Sequence, residues 1–250
     1  SLGQLRLERP ICIWPGDRII IRNWQETATL AGGLVLDVNG DRRKMRTPAR
    51  IQLLEARIAA PKNPQTWIET QLARDGVVKR NTLLRPSSFS PAEIDKAVTR
   101  LLDLGKALHA GDWIADMGRW QSTIAEMSKR VDAEHVRHPE LPGLSLEQLH
   151  PVMEQAFAGH DPFPELIADL CRNGFNRRQN YVARNGHKPV LPAHLRDVGE
   201  EIRQAMQMPD PPPRKHFTGN LTGRQAMQFL IESGEVVDVS PDLVLGLAQF

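Results

Sequence analysis

The chain has 250 residues, 40% of them hydrophobic and 25% charged, a composition typical of folded soluble proteins and not of disordered or collagen-like ones. No segment approaches the roughly 18 apolar residues of a membrane-spanning helix, and Ser1-Leu2-Gly3 lacks the features of a signal peptide. Cys12 and Cys171 are too few for a disulfide framework, and neither belongs to a Cys-x-x-Cys pair. We therefore expect a soluble, cytoplasmic protein that does not bind membranes.

The formal net charge of +2 is distributed unevenly along the chain. Between Arg42 and Arg57 six cations accompany the single acid Glu55, and between Arg172 and Lys188 five cations accompany no acid, so each segment carries +5. Each phosphate that a protein neutralises releases bound counterions, so two basic segments in an acidic background suit a polyanionic partner. A solvated surface explains either segment equally well when it is taken alone.

The first forty residues predict three short strands. Residues 4–8 alternate polar and apolar side chains, residues 18–22 are rich in isoleucine, and residues 29–38 form a further β-like segment. Pro15-Gly16-Asp17 predicts a tight turn between two of them. Three strands cannot close a core alone, so this piece should complete a sheet, pack on the next part of the chain or be the end of a β domain.

After Gly40 the apolar period changes from two to about 3.6, which predicts helices over most of the remaining chain. Each of three units contains a helix that begins with a capping pattern and a helix that ends at a glycine before a β-hairpin. In the first and third units these are the same helix, whereas in the second the capped helix runs through Met153 and the next one, residues 164–171, precedes the glycine. The predicted caps are Ser90, Ser145 and Thr222, and the glycines are Gly105, Gly174 and Gly234. Three helices with a two-stranded wing, repeated every sixty to seventy residues, form the winged-helix pattern.

Other boundaries follow from the same signals. Helices are predicted over residues 48–59 and from Pro64, where Asn63 precedes the first turn. The hairpins are predicted at residues 107–115, at strands around Tyr181-Val182 and Asn185-Gly186, and at residues 235–245. The proline-rich residues 208–213 should form a stiff loop between the first two helices of the third repeat.

No pattern of catalytic or metal-binding residues is convincing. The pair Gly105-Lys106 has Arg100 where a phosphate-binding loop needs its first glycine. Residues 37–41 resemble a calcium loop but lack the glutamate at its twelfth position, which favours a turn between domains. His135 and His138 are three residues apart without a third ligand nearby in sequence. We therefore expect no enzyme activity, cofactor site or metal site in this chain.

The basic side chains carry the clearest functional signal. A winged helix can place its third helix in a groove and its wing against phosphates or an RNA loop, and the only tyrosine of this chain lies among the cations of the second wing. The candidate nucleic-acid contacts are Arg177, Arg178, Tyr181, Arg184 and Lys188 on that wing, with Arg42, Arg43, Lys44 and Arg46 in the first basic segment. Carboxylates on the third helices argue against generic reading of a major groove, because phosphates repel them. They are Asp95, Asp103, Asp169 and Glu232.

Several segments resemble the selenocysteine-specific translation elongation factors, the SelB family. Residues 5–10, 15–18 and 29–37 look like the final strands of the third, β-barrel domain of these factors, and residues 229–243 look like the wing of the third winged helix after it. The resemblance implies a mainly α fold with short β wings (α+β), in which tandem winged-helix domains follow strands of an elongation-factor β-barrel domain. The implied domains are residues 1–40 for the barrel strands and 41–115, 116–190 and 191–250 for winged helices one to three.

The resemblance also implies a function. The chain would be the non-catalytic C-terminal arm that links the GTPase and tRNA-binding part of the factor to the reader of the SECIS mRNA hairpin, while UGA is recoded as selenocysteine. Through the full-length parent its partners would be selenocysteinyl-tRNA, the SECIS hairpin and the ribosome, and the arm itself is expected to be a monomer. GTP and Mg would bind in the parent's N-terminal domain, outside this chain. The alternative is a DNA-binding winged-helix transcription regulator, which has no use for barrel strands in its first forty residues.

Overall fold

The computed structural model describes residues 2–38, 46–157, 159–208, 211–240 and 243–246. These form two compact units, Ser1–Ser122 with Glu154–Pro162 and Thr123–Met153 with Phe163–Phe250. The domain boundaries expected after residues 40, 115 and 190 divide the chain more finely than these units and stay a prediction. In the described ranges no helix combines the length and the apolar character needed to cross a bilayer.

One β-hairpin lies in the region before residue 38. Strand β1 (Arg18–Arg22) pairs antiparallel with β2 (Thr29–Leu34). The predicted turn at Pro15-Gly16-Asp17 leads into β1, where the amide of Asp17 donates to the carbonyl of Trp14 at 3.1 Å. Residues 4–8 do not form a strand, so that prediction is wrong. A strand needs a hydrogen-bonded neighbour, and neither β1 nor β2 pairs with these residues.

Two helices come next in the chain, α1 (Pro48–Ala59) and α2 (Pro64–Asp75). Both begin with proline. Proline has no backbone N–H, and this is tolerated at the first helical position because the N–H there has no partner within the helix. Asn63 caps α2 by accepting a hydrogen bond from the amide of Gln65 at 3.1 Å. At the other end of α2, Gly76 has φ of 78°, and a Cβ there would lie 2.7 Å from the side chain of Phe157.

The first winged helix continues with β3 (Val77–Lys79), α3 (Pro91–Asp103), β4 (Ala107–Ala110) and β5 (Trp113–Asp116). β5 pairs antiparallel with both β3 and β4, so the wing belongs to a three-stranded sheet and not to the two-stranded one predicted. β3 has only three residues, too few to show a period of two. The core packs α2 and α3 on this sheet through Trp67, Ile68, Leu72, Val98, Leu101 and Ile114.

The second winged helix contains α4 (Met117–Arg137), β6 (Leu144–Ser145), α5 (Leu146–Ala156), α6 (Phe163–Arg172), β7 (Phe175–Arg178) and β8 (Tyr181–Arg184). β8 pairs with β6 and with β7. The strand predicted around Tyr181-Val182 is confirmed as β8, but the one around Asn185-Gly186 is wrong, because the partner of β8 is β7 and the chain turns at Gln179, where φ is 49°. After Phe175 the residues of β7 are polar, so the strand shows no apolar alternation.

The third winged helix begins with a short 3-10 turn, Ala193–Leu195. It continues with α7 (Arg196–Ala205), α8 (Arg214–Phe217), α9 (Leu221–Glu232), β9 (Val236–Ser240) and β10 (Leu243–Gly246). The cap of α9 is Asn220 and not the predicted Thr222, because the side chain of Asn220 accepts a hydrogen bond from the amide of Gly223 at 2.6 Å. The core between α7, α9 and the hairpin contains Ile202, Met227, Leu230, Val236 and Val244.

The other predicted helix caps and helix-terminating glycines are found in the structure. Ser90 and Glu93 form a complete capping box, in which the carboxylate of Glu93 accepts from the amide of Ser90 at 2.8 Å. The terminal glycines Gly105, Gly174 and Gly234 all have positive φ, of 65°, 91° and 77°. The predicted fold class is confirmed: a mainly α protein with short β wings, in which winged helices follow the strands of a β domain.

Candidate nucleic-acid interface

The second wing, β7 and β8 with their turn, presents its basic side chains on two faces. The register pairs Arg178 with Tyr181 and Arg177 with Val182. Side chains alternate between faces along a strand, and directly paired residues share a face. Arg178 and Tyr181 therefore lie opposite each other on one face, which we call the Arg178–Tyr181 face. Arg177 and Arg184 lie on the other face.

The Arg178–Tyr181 face is accessible. Both side chains are exposed, with 38% of Tyr181 accessible. Within the part of the chain that the structure describes, neither side chain forms a hydrogen bond or an ion pair. Directly paired residues in an antiparallel sheet have Cβ atoms about 5 Å apart. A guanidinium beside an exposed ring at this spacing can contact a phosphate while the ring stacks on a base.

Arg184, in contrast, is engaged within the protein. Its Nε donates to Oδ1 of Asp132 at 2.9 Å, a second guanidinium nitrogen donates to Oδ2, and the guanidinium lies 4.2 Å from the centre of the Phe175 ring. The hydrogen bond from Arg184 lowers the pKa of Asp132 and raises that of Arg184. The positive charge of Arg184 is therefore already compensated, and its side chain fastens the wing to α4.

The charges of two other predicted contact residues, Arg177 and Lys188, are not compensated by an ion pair among the described residues. Arg177 is exposed, and its Nε donates to the carbonyl of Gln179 at 3.1 Å, which orders the side chain without neutralising it. Lys188 is exposed four residues after β8, and it has no ion-pair partner among the described residues. The structure thus brings Arg178 and Tyr181 together and separates them from Arg177 and Arg184.

In the first basic segment, Arg42, Arg43 and Lys44 lie outside the described residues, and Arg46 is exposed. Arg57 is buried, with 3% of the residue accessible. Its Nε donates to Oγ1 of Thr70 at 2.9 Å, another nitrogen donates to the carbonyl of Leu36 at 2.6 Å, and its guanidinium lies 4.7 Å from the centre of the Trp67 ring. A cation buried in this way cannot meet an external phosphate.

Asp37 is the acid that pairs with arginines of this segment and of α2, whereas the sequence predicted only a turn at this position. Its carboxylate is paired with Arg50 and, at 3.0 Å, with Arg74, and its side chain is only 6% accessible. Burial lowers the pKa of Arg57 to about 10, an effect that Asp37 opposes and Arg74 reinforces. Arg50, Arg57 and Asp37 are therefore structural, and the +5 of this segment overstates the charge available to a partner.

The histidines considered as metal ligands have other contacts. His138 Nδ1 lies 3.3 Å from a carboxylate oxygen of Glu140, and the ring of His135 stacks on that of His187. Within the described ranges, no three His, Cys, Asp or Glu side chains are placed to hold a metal ion.

The carboxylates of the third helices are partly compensated. Asp95 on α3 lies 3.5 Å from Arg80, and Asp169 on α6 accepts from Arg172 at 2.8 Å. On α9, Glu232 accepts a hydrogen bond from Gln228 at 2.7 Å, which leaves its charge in place. These helices offer no continuous positive surface to a duplex, whereas the second wing does expose cations.

Comparisons with known proteins agree on one family. Residues 1–42 match the family model described as the beta-barrel domain of the selenocysteine-specific elongation factor. The selenocysteine-specific elongation factor of Haemophilus influenzae is 24% identical to the chain over 150 residues, which are 60% of this chain and 23% of that protein.

The fold matches as well. A crystal structure of the bacterial selenocysteine-specific elongation factor EF-Sec aligns with 98% of this chain and 38% of its own, with a TM-score of 0.55 and 11% identity. The chain thus spans less than a quarter of the curated relative and less than half of the solved one. The predicted resemblance is confirmed: the chain is similar to part of a selenocysteine-specific elongation factor, a protein of the SelB family, in its first 42 residues and in its fold.

Proposed function

We propose that the chain is the non-catalytic C-terminal arm of a selenocysteine-specific elongation factor, which links the GTPase and tRNA-binding part to the reader of the SECIS mRNA hairpin during UGA recoding. The observation that carries the proposal is the match of residues 1–42 to the barrel domain of these factors, directly before tandem winged helices. A DNA-binding regulator needs no such barrel strands. The role of the arm is spacing and orientation, in the cytoplasm and as a monomer.

Catalysis and cofactor binding belong, in this proposal, to other parts of the parent protein. GTP and Mg would be bound by its N-terminal domain, and selenocysteinyl-tRNA, the SECIS hairpin and the ribosome would be partners of the whole factor. The arm contributes secondary contacts to RNA through its exposed cations. Among the described candidates these are Arg46, Arg177, Arg178 and Lys188, with Tyr181 as the stacking ring.

RNA suits the second wing better than duplex DNA does. Recognition of RNA relies on unpaired bases that stack on aromatic rings, with cations on the neighbouring phosphates. The Arg178–Tyr181 face offers one ring and one cation at this spacing. A duplex would instead bring its phosphates close to α6, where Glu165 and Asp169 would be repelled.

A mobility-shift titration with the cognate mRNA hairpin tests the proposal. We expect the 250-residue chain to bind weakly and with a steep dependence on salt, because its contacts are mainly to phosphates. A longer protein with one further winged helix should bind much more tightly. Equal affinity of the two proteins would show that recognition lies in this chain and that its role as a spacer is wrong.

The same titration with a DNA duplex of equal length separates the two candidate functions. The elongation-factor arm should bind the RNA hairpin at least as well as the DNA. A clear preference for the duplex, with affinity that depends on its sequence, would favour the transcription regulator.

A further inference from the structure

Two imidazole rings stack where the second wing meets α4. His135 lies in the last turns of α4, and His187 follows β8 by three residues. The ring centres are 3.7 Å apart, and the ring planes differ by only 9°. His187 Nε2 lies 3.0 Å from the carbonyl oxygen of Leu141. Because a carbonyl only accepts, Nε2 of His187 must carry the proton.

The stacked rings are part of a two-point attachment. Asp132 lies three residues before His135 on α4, one helical turn away, and its partner Arg184 lies three residues before His187. Both contacts therefore join the same face of α4 to the end of the wing. Further along the chain, the amide of Val190 donates to the carbonyl of Pro139 at 2.9 Å. This hydrogen bond also joins the segment after the wing to the residues after α4.

The environment of His135 disfavours a positive charge. Its Nε2 is buried and has no hydrogen-bond partner within the described structure. A neutral imidazole can leave that nitrogen as a bare acceptor, but an imidazolium must carry an N–H there, without an acceptor. Burial lowers the pKa of His135 most, and the neighbouring His187 lowers it further.

Charged groups on both packed elements act on the rings. Asp132 and Glu134 on α4 favour protonation of His135, and Arg184 on β8 opposes it. His138 and Glu140, which follow α4, are 3.3 Å apart and pair with each other. Burial, His187 and Arg184 together outweigh the acids and lower the pKa of His135, so His135 is neutral near neutral pH.

We propose that His135 and His187 form a proton-sensitive clasp, which holds the chain after the second wing against the end of α4 while His135 is neutral and releases it when His135 takes a proton. The held segment, residues 185–190, connects the second winged helix to the third. The stabilisation by neutral His135 is complete above the ordinary histidine pKa of about 6.5 and is lost as the pH falls through the lower pKa of His135.

Amide hydrogen exchange of the 250-residue chain tests the clasp. The reporter is the amide of Val190, and the control is the amide of Asn185, which donates to the carbonyl of Gly174 within the wing at 2.9 Å. After correction for intrinsic exchange rates, the protection of Val190 should fall severalfold, and by at most about tenfold, between about pH 7.5 and 5.5, while that of Asn185 stays constant. Parallel changes at both amides would overturn the proposal.

Two variants and one titration complete the design. His135→Phe keeps a flat ring but takes no proton, so the drop in protection at Val190 should disappear, whereas His138→Gln, outside the stack, should keep it. A drop that persists in His135→Phe contradicts the clasp. If this variant does not fold, an NMR titration of the unmodified chain decides, because the loss of protection must follow the titration of His135 and not that of His138.

Discussion

The two basic segments of this protein have the same formal charge but different structures. In the first, Arg57 is 3% accessible and donates to Thr70 and Leu36, and Arg50 pairs with a nearly inaccessible Asp37. In the second, Arg177 and Arg178 are exposed on a hairpin. A count of charges in the sequence therefore measures neither burial nor availability to a partner.

The difference arises from the local element that carries each arginine. Arg57 lies on a helix that packs against α2, so its long side chain reaches the buried hydroxyl of Thr70 and the carbonyl of Leu36. Arg178 lies at the end of a four-residue strand, where the turn leaves no neighbour to cover it. A cation that pairs with buried polar groups contributes to stability, whereas one at a hairpin tip remains accessible to a partner.

The largest expected effect concerns the buried arginine. Arg57→Ala should lower the free energy of unfolding by about 3 kcal/mol, because Thr70 and the Leu36 carbonyl lose a charged donor and a cavity opens beside Trp67. Urea unfolding followed by tryptophan fluorescence measures it. The matched control is Arg46→Ala, on an exposed residue of the same segment, which should change stability by less than about 0.5 kcal/mol. Similar losses in both variants would remove the distinction between buried and exposed arginines.

The next effect concerns the ring of the second wing. If Tyr181 stacks on a base, Tyr181→Ala should weaken RNA binding by about 1–3 kcal/mol, whereas Tyr181→Phe, which keeps the ring, should bind nearly as well. Fluorescence anisotropy with a labelled RNA measures both. Neither variant should change the melting temperature appreciably, because the Tyr181 side chain is exposed. Equal affinity of Tyr181→Ala and the unmodified protein would leave this wing as an ordinary solvated surface.

The smallest effect compares two arginines of one hairpin. Arg178→Ala should lower the slope of log affinity for RNA against log salt concentration by about one, as expected for one lost phosphate contact. Arg184→Ala should leave that slope unchanged, since Asp132 already compensates the charge of Arg184. The measurement is a series of anisotropy titrations at increasing salt. A loss of slope in Arg184→Ala would mean that the ion pair opens when RNA binds.

The parts of the fold that could be predicted from the sequence depend on near neighbours. A capping box such as that of Ser90 and Glu93 spans three residues, and a glycine that ends a helix acts through its own backbone. Strands β3 and β6, of three and two residues, were not predicted. They are defined by their pairing with β5 and β8, and segments this short show no recognisable strand pattern in the sequence.

The candidate site was predictable in its residue types but not in its geometry. The sequence indicates cations around Tyr181, yet only the register of β7 and β8 places Arg178 beside the ring and Arg177 behind it. The pairing of Arg184 with Asp132 joins residues 52 positions apart, and that of Arg57 with Leu36 joins residues 21 apart. Long-range pairs of this kind have no local sequence signature.

The pairing of Asp37 with arginines from two helices has a mechanical consequence. The segment after β2 is held at Leu36 and Asp37 by arginines of α1 and α2. A displacement of β2 should therefore be passed on to α1 and α2, and a substitution of Asp37, which removes the contacts with Arg50 and Arg74, should weaken this connection.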